Sequence, residues 1–500
     1  MVLDRRQVLE GSVAALVRPG ARRTVDYGAL RAALDGRVVP AGDPAYAEAR
    51  ELYQPRYDRA APGAVAYPAH DGDVAVCLDF ARRSGVPVVA RGGGHSYAGW
   101  STCTGLVVDL GALAGVTSGT GEVRVGAGAR LGDLQTELAR LGRVVPAGLC
   151  PTVGVAGLTL GGGLGVGSRA YGATCDALTG ARIVTPDGAV REVDAGHDPE
   201  LFWALRGGGG GNFGVVTEFR FRTRPAPGGC GFAELRWDRR DAAAVLAGWQ
   251  RWLADLPDPL WTQVEFVVRG PAPEAAVRVA GLDGAAQVDR ETARLTGLVG
   301  ARPRHGSSIP LGHTELLRTL SGCASLPEEA CRLPGELPGR GPGGRLGRED
   351  YAARSDFWPA PGLPAGAVDA VLAAVDRYPA EVPAGGHAVV QLDGVCGGAL
   401  NRVRAGDTAF VHRDGAFLAQ YLVYWPPGTA AGPKAPHLAW LDRLWEGLRP
   451  WAAGPAYQNY ADPRLRSWAG AYYGANLERL RRVARTYDPD RLFRFPQGLA

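Results

Sequence analysis

Arg91-Gly-Gly-Gly-His-Ser-Tyr-Ala-Gly99 and Cys150-Pro-Thr-Val-Gly-Val-Ala-Gly-Leu-Thr-Leu-Gly-Gly-Gly-Leu-Gly165 are two stretches of the same design, each dense in glycine around one nucleophilic side chain, His95 in the first and Cys150 in the second. Successive glycines let a backbone take positive φ and turn its amides inward, so that a diphosphate can come close. A phosphate-bearing cofactor is the natural guest. No Gly-Lys-Ser/Thr follows Gly161-Gly-Gly163, which argues against a nucleotide triphosphatase. With 73 glycines in 500 residues any one cluster can be a simple turn. The recurrence beside His95 and Cys150 favours a ligand.

Around these loops the chain reads as alternating strands and helices. Residues 26 to 56 read as a helical approach segment and Pro62 to Tyr67 as the first strand. Asp71 to Ser84 has helical periodicity, with Val74, Val76, Cys77, Phe80 and Ala81 apolar, and Val86 to Ala90 is a strand. Leu106 to Leu110 and Glu122 to Val125 are short strands, and Leu131 to Leu141 is an amphipathic helix. Ala181 to Val184 and Ala189 to Val193 form a hairpin about Pro186-Asp-Gly188. Arg206, five glycines and Asn212-Phe-Gly214 give backbone room against a ligand, and Val215 to Arg222 is the strand that leaves this unit. The fold class is α+β. After Pro225-Ala-Pro-Gly-Gly229 a second unit has strands at Thr262 to Val268, Ala388 to Asp393 and Phe417 to Trp425. Its helices lie at Asp241 to Leu256, Asp289 to Leu298 and Gly366 to Arg377. Gly335 to Gly347, rich in Gly, Pro and Arg, reads as a mobile loop.

Composition removes several classes of function. A net charge of +4 is mild, and Lys434 is the single lysine. No basic run interleaves with aromatics, so no nucleic-acid partner is expected, and no apolar run is long enough for a transmembrane helix. The eight histidines contain no closely spaced pair or HExxH arrangement, so no metal is expected. Arg5-Arg6 before an apolar stretch broken by Glu10 and closed by Arg18 reads equally as a degenerate twin-arginine export signal or an ordinary helix, leaving the protein cytoplasmic or secreted. Cys323 and Cys331 could close a disulfide; the spacing leaves two free thiols equally open.

The strings RGGGHSYAG, CPTVGVAGLTLGGGLG, LFWALRGGGGGNFGVVTEF (Leu201 to Phe219), YQNYADP (Tyr457 to Pro463) and YDPDRLFRFPQ (Tyr487 to Gln497) resemble the berberine-bridge-enzyme-like FAD-linked oxidases. That family has the FAD-binding fold of the vanillyl-alcohol-oxidase and p-cresol-methylhydroxylase superfamily. The resemblance runs from about residue 50 to the C-terminus, with its motifs in the family's order. It implies an N-terminal segment (1–57), an FAD-binding domain (58–226), a substrate domain with an antiparallel sheet backed by helices (227–453), and a C-terminal segment returning to the FAD domain (454–500). It implies FAD tethered twice, at its 8α carbon by His95 and at C6 by Cys150. The cofactor-binding set implied is Arg91, Gly92, Gly93, Gly94, His95, Ser96, Cys150, Val153, Gly154, Gly157, Leu158, Gly161, Gly162, Asn212, Gly214, Val215 and Asn459. Val153 matches the residue that leaves oxygen access open, so dioxygen is the implied acceptor and a small molecule the substrate.

Oxidising an alcohol also requires a base for the hydroxyl proton. A tyrosine, with a pKa of about 10, serves only if its phenolate is stabilised. The family's active-site tyrosine comes from the Asn-Tyr motif, so Tyr460 leads and Tyr457 follows. On an extended segment the two point to opposite faces, and only one meets the flavin. Alternatively both are packing aromatics. Leu158 stands where plant members carry histidine, Leu164 where they often carry tyrosine, and Cys396 where bacterial members have tyrosine or aspartate. Asp393 or Tyr421 could then be the second catalytic group. Three functions remain open: an oxidase of an alcohol or hemiacetal carbon in a sugar or glycosylated natural product; a tailoring oxidase or dehydrogenase at a C–N or C–C centre; and a flavin-retaining binding protein.

Overall fold

The computed structural model describes residues 25–119, 121–269, 273–304, 306–382, 385–452 and 454–499, so the Arg5-Arg6 segment lies outside the described residues. The helix Asp71–Ser84 forms as its periodicity requires, burying Val74, Cys77, Leu78 and Ala81 and ending on Gly85 at φ 66°. It crosses between two parallel strands, Ala64–Tyr67 and Val88–Arg91, which flank Leu106–Asp109 in one sheet.

A fourth strand, Arg37–Pro40, pairs antiparallel with Ala64–Tyr67 and corrects the reading of 26 to 56 as helical. Only Tyr27–Ala33 and the short turn Tyr46–Ala49 are α-helical there. The override is tertiary. The Asp73 carboxylate accepts hydrogen bonds from the amides of Asp35, Gly36 and Ala69 at 2.8–3.0 Å, fixing the turn that sends Val38 and Val39 into the sheet.

A second sheet is antiparallel throughout, in the order Val116–Ser118, Glu122–Gly126, Val215–Arg222, Leu178–Val184, Val190–Asp194. The expected hairpin closes with Val184 opposite Val190. Residues of the C-terminal stretch, among them Ala456, Leu465, Tyr472, Leu480 and Leu499, bury into the core these two sheets share.

The third sheet has seven antiparallel strands, ordered Ile309–Leu311, Cys230–Trp237, Glu274–Gly281, Leu260–Val268, His387–Asp393, Gly415–Trp425, Asp350–Pro359. Period-two alternation divides its side chains. Val264, Phe266, Val390, Tyr421 and Val423 pack with Trp249, Trp252, Val371 and Trp440 from the helices Ala242–Ala254, Ala365–Glu381 and Ala431–Leu448. The opposite set, including Gln391, Asp393, Gln420 and Tyr424, looks toward the first two sheets. Among the described residues no helix is long and apolar enough to cross a membrane.

Gly335 to Gly347 contains no helix or strand, yet it is docked rather than free, which corrects the expected mobile loop. Glu48 accepts from the amides of Glu336 (3.0 Å) and Leu337 (2.8 Å), Arg340 pairs with Glu51 at 2.9 Å, and Leu337 is buried. Cys323 and Cys331 are disulfide-bonded just ahead of it.

Candidate active site

The two glycine loops meet by crossing backbone on backbone. A Cβ on Gly93 would lie 2.1 Å from the Gly154 nitrogen, and one on Gly154 would lie 2.2 Å from the Gly93 nitrogen, so neither position admits a side chain. Arg130 ties the first loop down, donating to the carbonyl of Gly92 at 2.7 Å. This crossing brings His95 and Cys150 to one hydroxyl. His95 Nε2 lies 2.8 Å and Cys150 Sγ 3.5 Å from Thr152 Oγ1. Burial, reinforced by the charge of Arg130, lowers the His95 pKa to about 3, so the imidazole is neutral at working pH. Burial pushes the Cys150 thiol up, opposed by hydrogen bonds from the Thr152 hydroxyl and the amides of Thr152 and Val153. The Tyr53 ring stacks on His95 at 4.0 Å, and its hydroxyl donates to Glu349 at 3.1 Å.

Tyr457 and Tyr460 do not sit on an extended segment. Gln458–Tyr460 is one 3₁₀ turn, which eclipses positions three apart, so both rings face the same way and touch edge to face at 4.9 Å. The expectation that they point to opposite faces is therefore corrected. Tyr457 is buried; its oxygen accepts from the Gly163 amide (3.0 Å) and from Asn459 Nδ2 (2.9 Å). Tyr460 stacks on Tyr97 at 5.1 Å. Burial, with Tyr97 and Asp393 nearby, holds its phenol well above the usual pKa. Tyr97 in turn receives a hydrogen bond from Gln420 at 2.9 Å and meets the edge of Tyr351 at 4.9 Å.

Across the sheet, Gln391 stands opposite Gln420, and Asp393 lies two residues beyond Gln391 on the same face. Burial raises the Asp393 carboxyl to about 7, against a 2.7 Å hydrogen bond from Trp261 Nε1 and one from Gln391. Tyr421, the other substitute considered, faces the helices: it is fully buried and receives a hydrogen bond from Trp358 Nε1 at 3.2 Å. It is not part of this site. Cys396 is buried, its thiol pushed up by burial.

The remaining sequence candidates divide between lining and scaffold. Val153, Gly157 and Leu158 are at least partly open, and a Cβ on Gly157 would meet nothing within 4 Å. The Leu158 carbonyl accepts from Asn459 at 3.0 Å, and a Cβ on Gly161 would strike Asn459 at 2.0 Å. Leu164 packs beside Tyr457. Gly94 at φ +70° and Gly162 at φ +116° hold turns that favour glycine, and Ser96 Oγ accepts from the Trp100 amide at 3.1 Å. The Arg91 side chain serves as an internal brace. Its buried guanidinium is taken up by Asp109 (2.6 Å) and the carbonyls of Ala49 and Glu51. Asn212 likewise works inward, accepting from the Leu499 amide at 3.1 Å and donating to Gly208; Gly214 packs on the Val184 carbonyl, and Val215 is buried in its strand.

Sequence reading missed Thr152, Tyr53, Tyr97 and Gln420 as site residues. Thr152 and Tyr97 lay within the quoted glycine loops and could have been found. Tyr53 and Gln420 carry no local signal.

Residues 62–194 match the family model described as an FAD binding domain, and residues 456–500 the one described as berberine and berberine like. The FAD-linked oxidoreductase YgaK of Bacillus subtilis (strain 168) is 32% identical over 473 residues, covering 93% of this chain and 97% of its own. Chitooligosaccharide oxidase of Gibberella zeae is 29% identical over 88% of this chain and 87% of its own. A structure of glucooligosaccharide oxidase from Acremonium strictum, an enzyme with a 6-S-cysteinyl, 8α-N1-histidyl FAD, aligns with a TM-score of 0.83 and 26% identity over 94% of this chain and 98% of that one. The residues present fit an FAD. His95 and Cys150 converge from two loops beside an open glycine surface at Gly157, and the crossing at Gly93 and Gly154 is a backbone floor without side chains. The chain belongs to the berberine-bridge-enzyme-like family of FAD-linked oxidoreductases.

Proposed function

We propose that the protein is an oxidase holding FAD covalently at both His95 and Cys150, acting on an alcohol or hemiacetal carbon of a sugar or glycosylated natural product and reducing dioxygen to H2O2. The observation that carries this reading is the convergence of His95 and Cys150 on the Thr152 hydroxyl. When bound, the flavin supplies a two-electron acceptor that dioxygen reoxidises. The chain's own part is to orient the substrate and accept its proton.

Burial holds the Tyr460 phenol well above its usual range, which favours a hydroxyl at rest and a second group to take its proton. Asp393, raised to about 7, is matched to accepting a proton near neutral pH. In this reading the Tyr460 hydroxyl receives the substrate's proton and passes one on to Asp393, while Tyr457, held by Gly163 and Asn459, fixes the turn that aims Tyr460. The facing carboxamides Gln391 and Gln420, with the rings of Tyr97 and Tyr351, suit a polyhydroxylated guest, which needs donors, acceptors and flat apolar faces together. The named activity of the chitooligosaccharide oxidase relative supports the sugar class. Val153, beside Cys150, is left as the small apolar residue at the oxygen approach.

Anaerobic mixing with a panel of oligosaccharides and glycosylated metabolites tests this. A true substrate bleaches the oxidised flavin absorbance, and admitting air restores it with H2O2 release. Bleaching by amines or alkaloids alone would favour the tailoring reading, and no bleaching by any compound would favour a flavin-binding protein.

A further inference from the structure

The contact that brings the two candidate tethers together also gives the residue between them a task. Thr152 is buried, and its single hydroxyl lies within reach of both His95 Nε2 (2.8 Å) and Cys150 Sγ (3.5 Å). A hydroxyl has one proton to give and lone pairs to receive with, so it can accept from one neighbour while donating to the other. The imidazole is neutral, with the charge of Arg130 opposing a second ring proton, so its one proton sits on either nitrogen. With the proton on Nε2, Nε2–H donates to Thr152, Nδ1 keeps a free lone pair, and the Thr152 O–H is left to turn toward sulfur; with it on Nδ1, the Thr152 O–H is spent on Nε2.

The sulfur is correspondingly surrounded by donors. The amides of Thr152 and Val153 lie close enough to favour its charged form as well, the Val153 N–H being engaged with the Cys150 carbonyl at 3.2 Å. Acting against these donors are burial and the carboxylate of Glu349, with the phenols of Tyr53, Tyr97 and Tyr424 also nearby. Each attachment would exchange a flavin C–H bond for a C–N or C–S bond, the two protons and two electrons released passing to dioxygen as H2O2; on the protein's side both need an unshared pair at the attacking atom, on His95 one particular tautomer and on Cys150 the thiolate.

We propose that Thr152 is the positioning residue for both flavin attachments, fixing the His95 tautomer that presents Nδ1 and donating the hydrogen bond that favours the Cys150 thiolate. The proposal rests on the reading that FAD is bound at both residues. One hydroxyl serving two nucleophiles makes a specific demand: its loss must slow both attachments together, and a hydroxyl restored on a smaller side chain must recover both.

The test compares parent, Thr152→Val and Thr152→Ser, each purified and incubated with added FAD. Intact mass and the masses of the His95 and Cys150 peptides follow the two linkages separately over time, and iodoacetamide alkylation of unlinked Cys150 reports its thiolate. Thr152→Val keeps the shape and removes the hydroxyl. It is expected to slow both linkages and the alkylation about tenfold or more, the scale of one hydrogen bond to a charged group, while non-covalent FAD retention and melting temperature stay near parental. Thr152→Ser is expected to restore both. Slowing of one linkage alone, slowing that serine does not relieve, or parental rates in Thr152→Val would each overturn the proposal. A parent carrying no linked flavin would overturn the bicovalent reading and this inference with it, whereas a doubly linked parent with an indifferent Thr152→Val overturns the inference alone. If Thr152→Val fails to fold, Thr152→Ala carries the same comparison against serine.

Discussion

The floor of the site, where Gly92-Gly-Gly94 crosses Val153-Gly154, is made of backbone, whereas its roof, the sheet face carrying Gln391, Asp393, Gln420 and Tyr424, is made of side chains. On the floor, chain passes chain so closely that glycine is the single residue that fits. On the roof, the strand pairing sets which positions look inward and leaves the residue at each position free. A floor of this kind holds a constant cofactor, and a roof of this kind can be re-equipped for different substrates without touching the fold. If the contrast is right, changes to the floor act on folding and cofactor retention, and changes to the roof and its tyrosine act on turnover.

The sharpest way to break it is Tyr460→Phe. Loss of the hydroxyl is expected to lower the rate of anaerobic flavin bleaching about a thousandfold, within the range for removing a proton-transfer group, with flavin content unchanged because phenylalanine keeps the ring that stacks on Tyr97. Parental bleaching rates would move proton transfer elsewhere; loss of flavin would make Tyr460 part of the floor.

Gly93→Ala probes the other side. A methyl group 2.1 Å from the Gly154 nitrogen forces the loops apart, an overpacking cost of about 3 kcal/mol. The melting temperature should drop by about 5 °C or more, with FAD retention falling alongside it. A variant that melts with the parent would show that the crossing is not tight.

A smaller effect belongs to pH. Asp393 is raised to about 7 in the folded chain, above the unfolded value of about 4. Its carboxylate is therefore the disfavoured form in the fold. It costs nothing below pH ~4, costs progressively more up to about 7, and holds steady above. As a proton acceptor it works only when ionised, so the bleaching rate should rise as pH climbs through about 7 and level off. Asp393→Asn should remove that rise, lower the plateau about a hundredfold, and make the protein more stable than the parent at pH 8 but not at pH 4. An unchanged pH profile in the variant would assign the titration to another group.

How much of this was legible beforehand follows the same division. RGGGHSYAG and CPTVGVAGLTLGGGLG could be read because close backbone approach dictates glycine, and the helix Asp71–Ser84 could be read from its periodicity and its Gly85 stop. The strand Arg37–Pro40 could not, because the Asp73 carboxylate that fixes its turn lies 37 and 38 residues from the amides it holds. The 3₁₀ turn at Gln458–Tyr460 was hidden for a similar reason, its geometry held by the Tyr457 contacts to Gly163 and Asn459. Gln420 and Tyr53 were invisible because their roles come from partners hundreds of residues distant, Tyr97 and Glu349. Asp393 and Tyr421 looked interchangeable in sequence; strand alternation sends one toward Tyr460 and the other into the helices.

The smallest predicted effect is the most discriminating for the floor. Gly157 lies in the same segment as Gly154 but faces open space, with no protein atom within 4 Å of a Cβ. Alanine in place of glycine inside the helix Val155–Leu160 is stabilising by about 0.5–1 kcal/mol when nothing opposes it. Gly157→Ala should therefore leave the flavin-free protein at or slightly above the parental melting temperature. If FAD lies against that surface, the added methyl group must meet it instead. In a background where His95→Ala and Cys150→Ala abolish both linkages, retention of FAD should then weaken by about fivefold, the scale of one poorly accommodated methyl group, although the protein itself is no less stable. Gly93→Ala loses stability and retention together; Gly157→Ala should lose retention alone. Equal FAD affinity in parent and Gly157→Ala would mean that the open glycine surface is not where the cofactor rests, and that the floor extends no further than the crossing at Gly93 and Gly154.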